Sequence, residues 1–108
     1  MAISARIWLS FDLHIGGDYE GIYKWLDSHN SNECGDSIAT FIWDANSIST
    51  IKNEIRDSLK NSVSFGKKDR VYIVFQKEDG SYAGTFLIGS RKSNPWEGYS
   101  KEESSDDE

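Results

Sequence analysis

Residues 5–13 read Ala-Arg-Ile-Trp-Leu-Ser-Phe-Asp-Leu. Ile7, Leu9, Phe11 and Leu13 alternate with Arg6, Trp8, Ser10 and Asp12. A period of two marks a strand with one buried face, because successive side chains leave a strand on opposite sides. Trp8 lies on the second face, so that face is not simply polar. Gly16-Gly17 then breaks the chain. Asp18 follows, with a carboxylate suited to accept from the free amides of a helix's first turn. Tyr19, Ile22, Trp25, Leu26 and His29 recur at helical spacing and predict an amphipathic helix over about 19–29, closed by Asn30-Ser31-Asn32.

The rest of the chain repeats this alternation. Residues 37–43, Ser-Ile-Ala-Thr-Phe-Ile-Trp, are rich in β-branched and aromatic types and predict a second strand. Glu33-Cys34 is read as an extension of it, with Gly35-Asp36 as a bend or bulge. Ile48, Ile51, Ile55 and Leu59 form the stripe of a second helix over about 48–61, capped from Asp44 to Ser47. Arg70 to Phe75 is a third strand. Glu78-Asp79-Gly80-Ser81 is a hairpin turn, since Asp-Gly tolerates the positive φ of tight hairpins, and Tyr82 to Gly89 is the returning strand. Asn94-Pro95 ends regular structure, and Trp96 and Tyr99 are expected to anchor the loop after it.

The order β-α-β-α-β-β demands an α+β fold, because each helix stripe needs an apolar sheet face to cover it. The expected solution is ferredoxin-like: a four- or five-stranded sheet with two helices packed on one face. The opposite face, with Trp8, Tyr72 and Val74, is then open. It is expected to form a homodimer contact, the alternative being cover by the loop that carries Trp96 and Tyr99.

The length of 108 residues suits one domain, placed at residues 1–100. Residues 101–108 set one lysine against five acidic side chains, so −4 of the formal −6 lies there and −2 is left for residues 1–100. That tail is too polar to offset the entropy of ordering and is expected to be disordered. It reads as a solubilising end or as a regulatory, DNA-mimicking one. One cysteine, Cys34, excludes an intramolecular disulfide and a multi-thiolate metal site. A buried, inert thiol is the expected state. With no leader pattern and no apolar run of membrane-spanning length, the expected location is cytoplasmic.

Asp12 stands out, at the end of a strand and just before a Gly-Gly loop, where side chains from several elements converge. With His14 and Asp18 it offers a possible donor set for magnesium or manganese. Asp18 is equally well explained as a cap, and His14 as an exposed loop residue. No phosphate-loop pattern supports a nucleotide cofactor. Lys67, Lys68 and Arg70 form one basic cluster, and Arg91 and Lys92 a second, at the ends of strands expected to be neighbours. Beside Tyr72, Tyr82 or Trp96 they would suit a nucleic-acid backbone with stacked bases. Solvated strand-end charges are the plainer reading.

Phe11-Asp12-Leu13 at the end of the opening strand resembles the hydrophobic-Asp-hydrophobic signature of the small CRISPR adaptation nuclease-like proteins and the virulence-associated protein D toxins, a ferredoxin-like superfamily. Asp36-Ser37-Ile38-Ala39-Thr40-Phe41 is similar to that group's Ser-hydrophobic strand, and Asp69-Arg70-Val71-Tyr72-Ile73-Val74 to its Asp-x-hydrophobic-x-hydrophobic strand. The resemblance covers about residues 6–76. It implies a dimer with Asp12 near the interface, a divalent ion held by Asp12 with Ser37 in support, and RNA or DNA binding or endoribonuclease activity. A noncatalytic protein-interaction module, using the aromatic sheet face, is the other expectation.

Overall fold

The computed structural model describes residues 2–101. Its elements are β1 (Ile3–Asp12), α1 (Tyr19–Ser28), β2 (Asn32–Glu33), β3 (Ile38–Ala45), a 3-10 turn (Ile48–Thr50), α2 (Ile51–Ser62), β4 (Arg70–Gln76) and β5 (Tyr82–Ile88). The five strands form one antiparallel sheet in the order β2-β3-β1-β4-β5. Each helix carries the chain across a strand: α1 lifts it from β1 to β2, leaving a place for β3, and α2 lifts it from β3 past β1 to β4. That split order is the ferredoxin-like one, and the β4–β5 hairpin adds a fifth strand at its edge. Glu102 to Glu108, and with them nearly all of the acidic tail, lie outside the described residues.

The predicted alternation places the core. Ala5, Ile7, Leu9 and Phe11 of β1, Ala39 and Phe41 of β3, and Val71, Ile73 and Phe75 of β4 all face one side. Ile22, Trp25 and Leu26 of α1 and Ile51, Ile55 and Leu59 of α2 close over them in the same cluster. Full burial of an aliphatic side chain of this size stabilises by about 1.5–3 kcal/mol. Polar bonds fix the helices in place. Trp25 Nε1 donates to Ser58 Oγ at 2.9 Å, tying α1 to α2. Glu54 of α2 accepts from Thr50 Oγ1 at 2.7 Å, Trp43 Nε1 at 3.0 Å and Asn46 N at 3.1 Å.

Three local expectations change. Glu33-Cys34 does not extend a bent second strand. Gly35 at φ 133° and Ser37 at φ 62° reverse the chain, so β2 is a separate strand paired with β3. Two residues are too few for periodicity to reveal. Cys34 is exposed in that turn, because a reversal outside the helix layer has no core to enter. Trp96 and Tyr99 do not anchor their loop; they are 69% and 85% exposed. The helix layer already fills the core without them.

Candidate functional site

The sheet face away from the helices carries Trp8, Tyr72 and Val74, as the alternation requires. Trp8 pairs with Val74 across the β1–β4 register and meets the Tyr82 ring edge-on, with centroids 6.3 Å apart. Tyr72 meets Phe86 at 4.8 Å and lies over Gly84, where a Cβ would overlap its hydroxyl. Ile38 and Ile42 extend this apolar face across β3, exposed at 39% and 49%.

The functional candidates gather at one end of this face. Asp12 and Arg70 are partners in the β1–β4 register, and Arg70 Nη2 donates to Asp12 Oδ2 at 2.7 Å. A depression of about 300 Å³ opens beside them, lined by Ser10, Asp12, Arg70, Tyr72, Phe86 and Arg91. The Arg91 guanidinium stands 5.5 Å over the Phe86 ring. A second depression, sharing Arg70 and Arg91, is lined by Lys67, Lys68 and Lys92. A third shares the same two arginines and continues along Lys92 and Pro95 to Trp96.

Two basic clusters more than twenty residues apart therefore meet in one groove. Gly89 makes the meeting possible. Its φ is 74°, and a Cβ there would lie 2.6 Å from the Asp69 carbonyl oxygen and 2.8 Å from Arg70 Cγ. Only glycine combines that backbone conformation with that approach. The chain leaving β5 is thereby pressed against the start of β4. Among the described residues, Lys67, Lys68, Arg91 and Lys92 have no carboxylate within 4.0 Å, whereas Arg70 is paired with Asp12. Among the described residues, the groove therefore has four cations without a carboxylate partner.

Asp12, His14 and Asp18 do not converge. Asp18 accepts from Gly21 N at 2.9 Å, capping α1, and from Ser64 N at 2.8 Å. The amides of Ser64 and Gly21 hold its carboxyl below the usual range. His14 turns to Asp69. Among the described residues no three acidic, His or Cys side chains are placed to hold a metal ion. Hard divalent ions take six or more oxygens. One copy offers Asp12, with a guanidinium already on its oxygen, so waters, phosphates or a second carboxylate would have to supply the rest of such a shell. Ser37 is exposed in the β2–β3 turn and contributes its carbonyl to Phe11 N at 3.0 Å.

From the sequence, Asp69 is visible only as the head of the Asp-x-hydrophobic strand, with no role or partner assigned to it. It is 1% exposed, the charged side chain of the core boundary. Its Oδ1 accepts from His14 N and lies 2.7 Å from His14 Nδ1, and its Oδ2 accepts from Gly66 N at 2.7 Å. Burial alone would raise its pKa. The amides of Gly66 and His14 and the imidazole outweigh burial and hold it below the ordinary carboxylate range. No spacing in the chain links residues 14 and 69, so the strand motif shows the carboxylate and not its partner.

No family model, curated protein or solved structure matches the chain.

Proposed function

We propose that the protein is a nucleic-acid-binding homodimer that holds a single-stranded phosphate backbone in the groove of Lys67, Lys68, Arg70, Arg91 and Lys92. The convergence of those two clusters on one depression carries the reading. Phosphates need several cations in register, and Tyr72, Phe86 and Trp96 along the same depressions offer rings for base stacking. Residues 1–100 have a formal charge of only −2, so binding is local to the groove. The open face around Trp8 and Val74, beyond the Tyr72 ring that lines the groove, takes the second copy, in keeping with the resemblance of its Asp12 segment to the dimeric CRISPR adaptation nuclease-like group. Metal-dependent cleavage, as an alternative catalytic route, would need a second Asp12 from the partner to complete a magnesium or manganese site.

Fluorescence anisotropy with labelled RNA and DNA tests the binding. Wild type should bind, with log affinity falling linearly in log salt. Lys67→Ala and Lys92→Ala should each reduce that slope by roughly 0.7 on a single strand. Affinity that ignores these substitutions would sink the groove assignment. Cleavage assays with manganese, comparing wild type with Asp12→Ala, test the metal-dependent step. The exposed Ile38, Ile42, Trp8 and Tyr82 also favour a protein-interaction module. A monomer that binds neither RNA nor DNA would select that second reading.

A further inference from the structure

His14 and Asp69 form a pair whose geometry does more than tie two loops. The backbone N–H groups of His14 and Gly66 already join the loop after β1 to the loop before β4 through Asp69. The imidazole adds a further contact, Nδ1 to Oδ1 at 2.7 Å. An ionised carboxylate only accepts, so Nδ1 carries the proton. In the neutral ring, Nε2 is then an unprotonated acceptor. The His14 side chain is 42% exposed while that of Asp69 is fully buried. Nε2 has no partner among the described residues. A buried carboxylate that fixes the tautomer of a solvent-facing imidazole is the arrangement that prepares a general base.

The position matters as much as the tautomer. The ring lies against Gly66, where a Cβ would stand 2.8 Å from His14 Cε1 and 3.0 Å from Nδ1. Gly66 directly precedes Lys67 and Lys68, which line the groove. The imidazole of one loop thus touches the residue that directly precedes the first cations of the phosphate track on the other.

We infer that His14 is the general base of a metal-independent cleavage of single-stranded RNA, with Asp69 as the residue that positions it. This rests on the groove being a nucleic-acid site. His14 Nε2 takes the proton of a ribose 2′-hydroxyl, and the 2′-oxygen attacks the adjacent phosphorus. The bond from phosphorus to the 5′-oxygen breaks. The leaving oxygen takes a proton from solvent, and the imidazolium returns its own to solvent. The products are a 2′,3′-cyclic phosphate and a 5′-hydroxyl, with no net redox change and no water consumed. Lys67 and Lys68 face the charge that builds on the phosphoryl oxygens.

The experiment incubates the full chain with labelled single-stranded RNA in excess EDTA and identifies the product ends. Cleavage to cyclic-phosphate ends, with a 2′-deoxy strand of the same sequence bound but uncut, is the expected result. His14→Gly should lose about 10²-fold or more of the rate while keeping its RNA affinity, and free imidazole should restore part of it. In wild type, the imidazole ¹⁵N shifts should report the Nδ1–H tautomer, and in Asp69→Asn that preference should weaken. RNA bound but uncut in EDTA, or His14→Gly cutting as fast as wild type, would overturn the base and leave the groove standing. Absence of RNA binding would overturn both.

Discussion

At the scale of single residues, Asp69 is where packing and ionisation are most tightly linked. It is buried and charged, and it takes bonds from two loops. Its folded pKa lies below the ordinary value. A depressed carboxylate contributes stability that is complete above its unfolded pKa, near ~3.9, and is lost as pH falls through the lower folded value. Asp18, Glu54 and Asp79 are shifted in the same direction. The melting temperature should therefore fall on acidification below about pH 4. Asp69→Asn should melt lower at pH 7 and show a shallower acid limb, read by circular dichroism across pH. An unchanged limb would remove Asp69 from the set that shapes it. Asp69→Ala leaves the part-buried amides of His14 and Gly66 without their acceptor, which costs on the order of 1 kcal/mol each.

At the scale of elements, β4 and β5 form the outer wall of the groove. Their hairpin turns at Lys77–Ser81, where Gly80 N donates to the Lys77 carbonyl at 3.0 Å and Asp79 accepts from Ser81 N at 2.9 Å. Glycine in a strand leaves a gap on the sheet surface, and at Gly84 the Tyr72 ring fills it. Tyr72 is thereby held against Phe86 at the mouth of the depression. Gly84→Ala should push the ring aside and destabilise by about 1–3 kcal/mol, as overpacking does. It should also weaken binding of a single strand while leaving the salt slope unchanged, because no cation is lost. A Gly84→Ala protein with wild-type melting and binding would show that the ring moves freely.

For the whole molecule, the two faces of the sheet have unequal fates. One is closed by α1 and α2 in a single apolar cluster. The other leaves Trp8 36% and Tyr82 61% exposed, with Ile38 and Ile42 beside them. Among the described residues, no helix is long and apolar enough to cross a membrane. A second copy on this face would remove that area from water. Light scattering after size exclusion should give the mass of a dimer, and Trp8→Arg with Val74→Glu should give that of a monomer with retained helicity. A monomeric wild type at micromolar concentration would overturn the dimer.

The sequence by itself determined the elements and their layer. Alternation through Ile7, Leu9 and Phe11 and the stripe Ile51, Ile55 and Leu59 are local patterns, and local periodicity states which side of each element must be buried. It also supplied the list of cations in the groove. Only the tertiary structure decided which of them meet. Arg70 and Arg91 share a wall because Gly89 lets two strand ends touch, and that contact joins residues far apart in the chain. The same holds for Asp12, which the register places on Arg70, and for His14, which finds Asp69 fifty-five residues later. Partners set by chain crossing leave no period to read, so the site's residues were visible singly and their pairing was not.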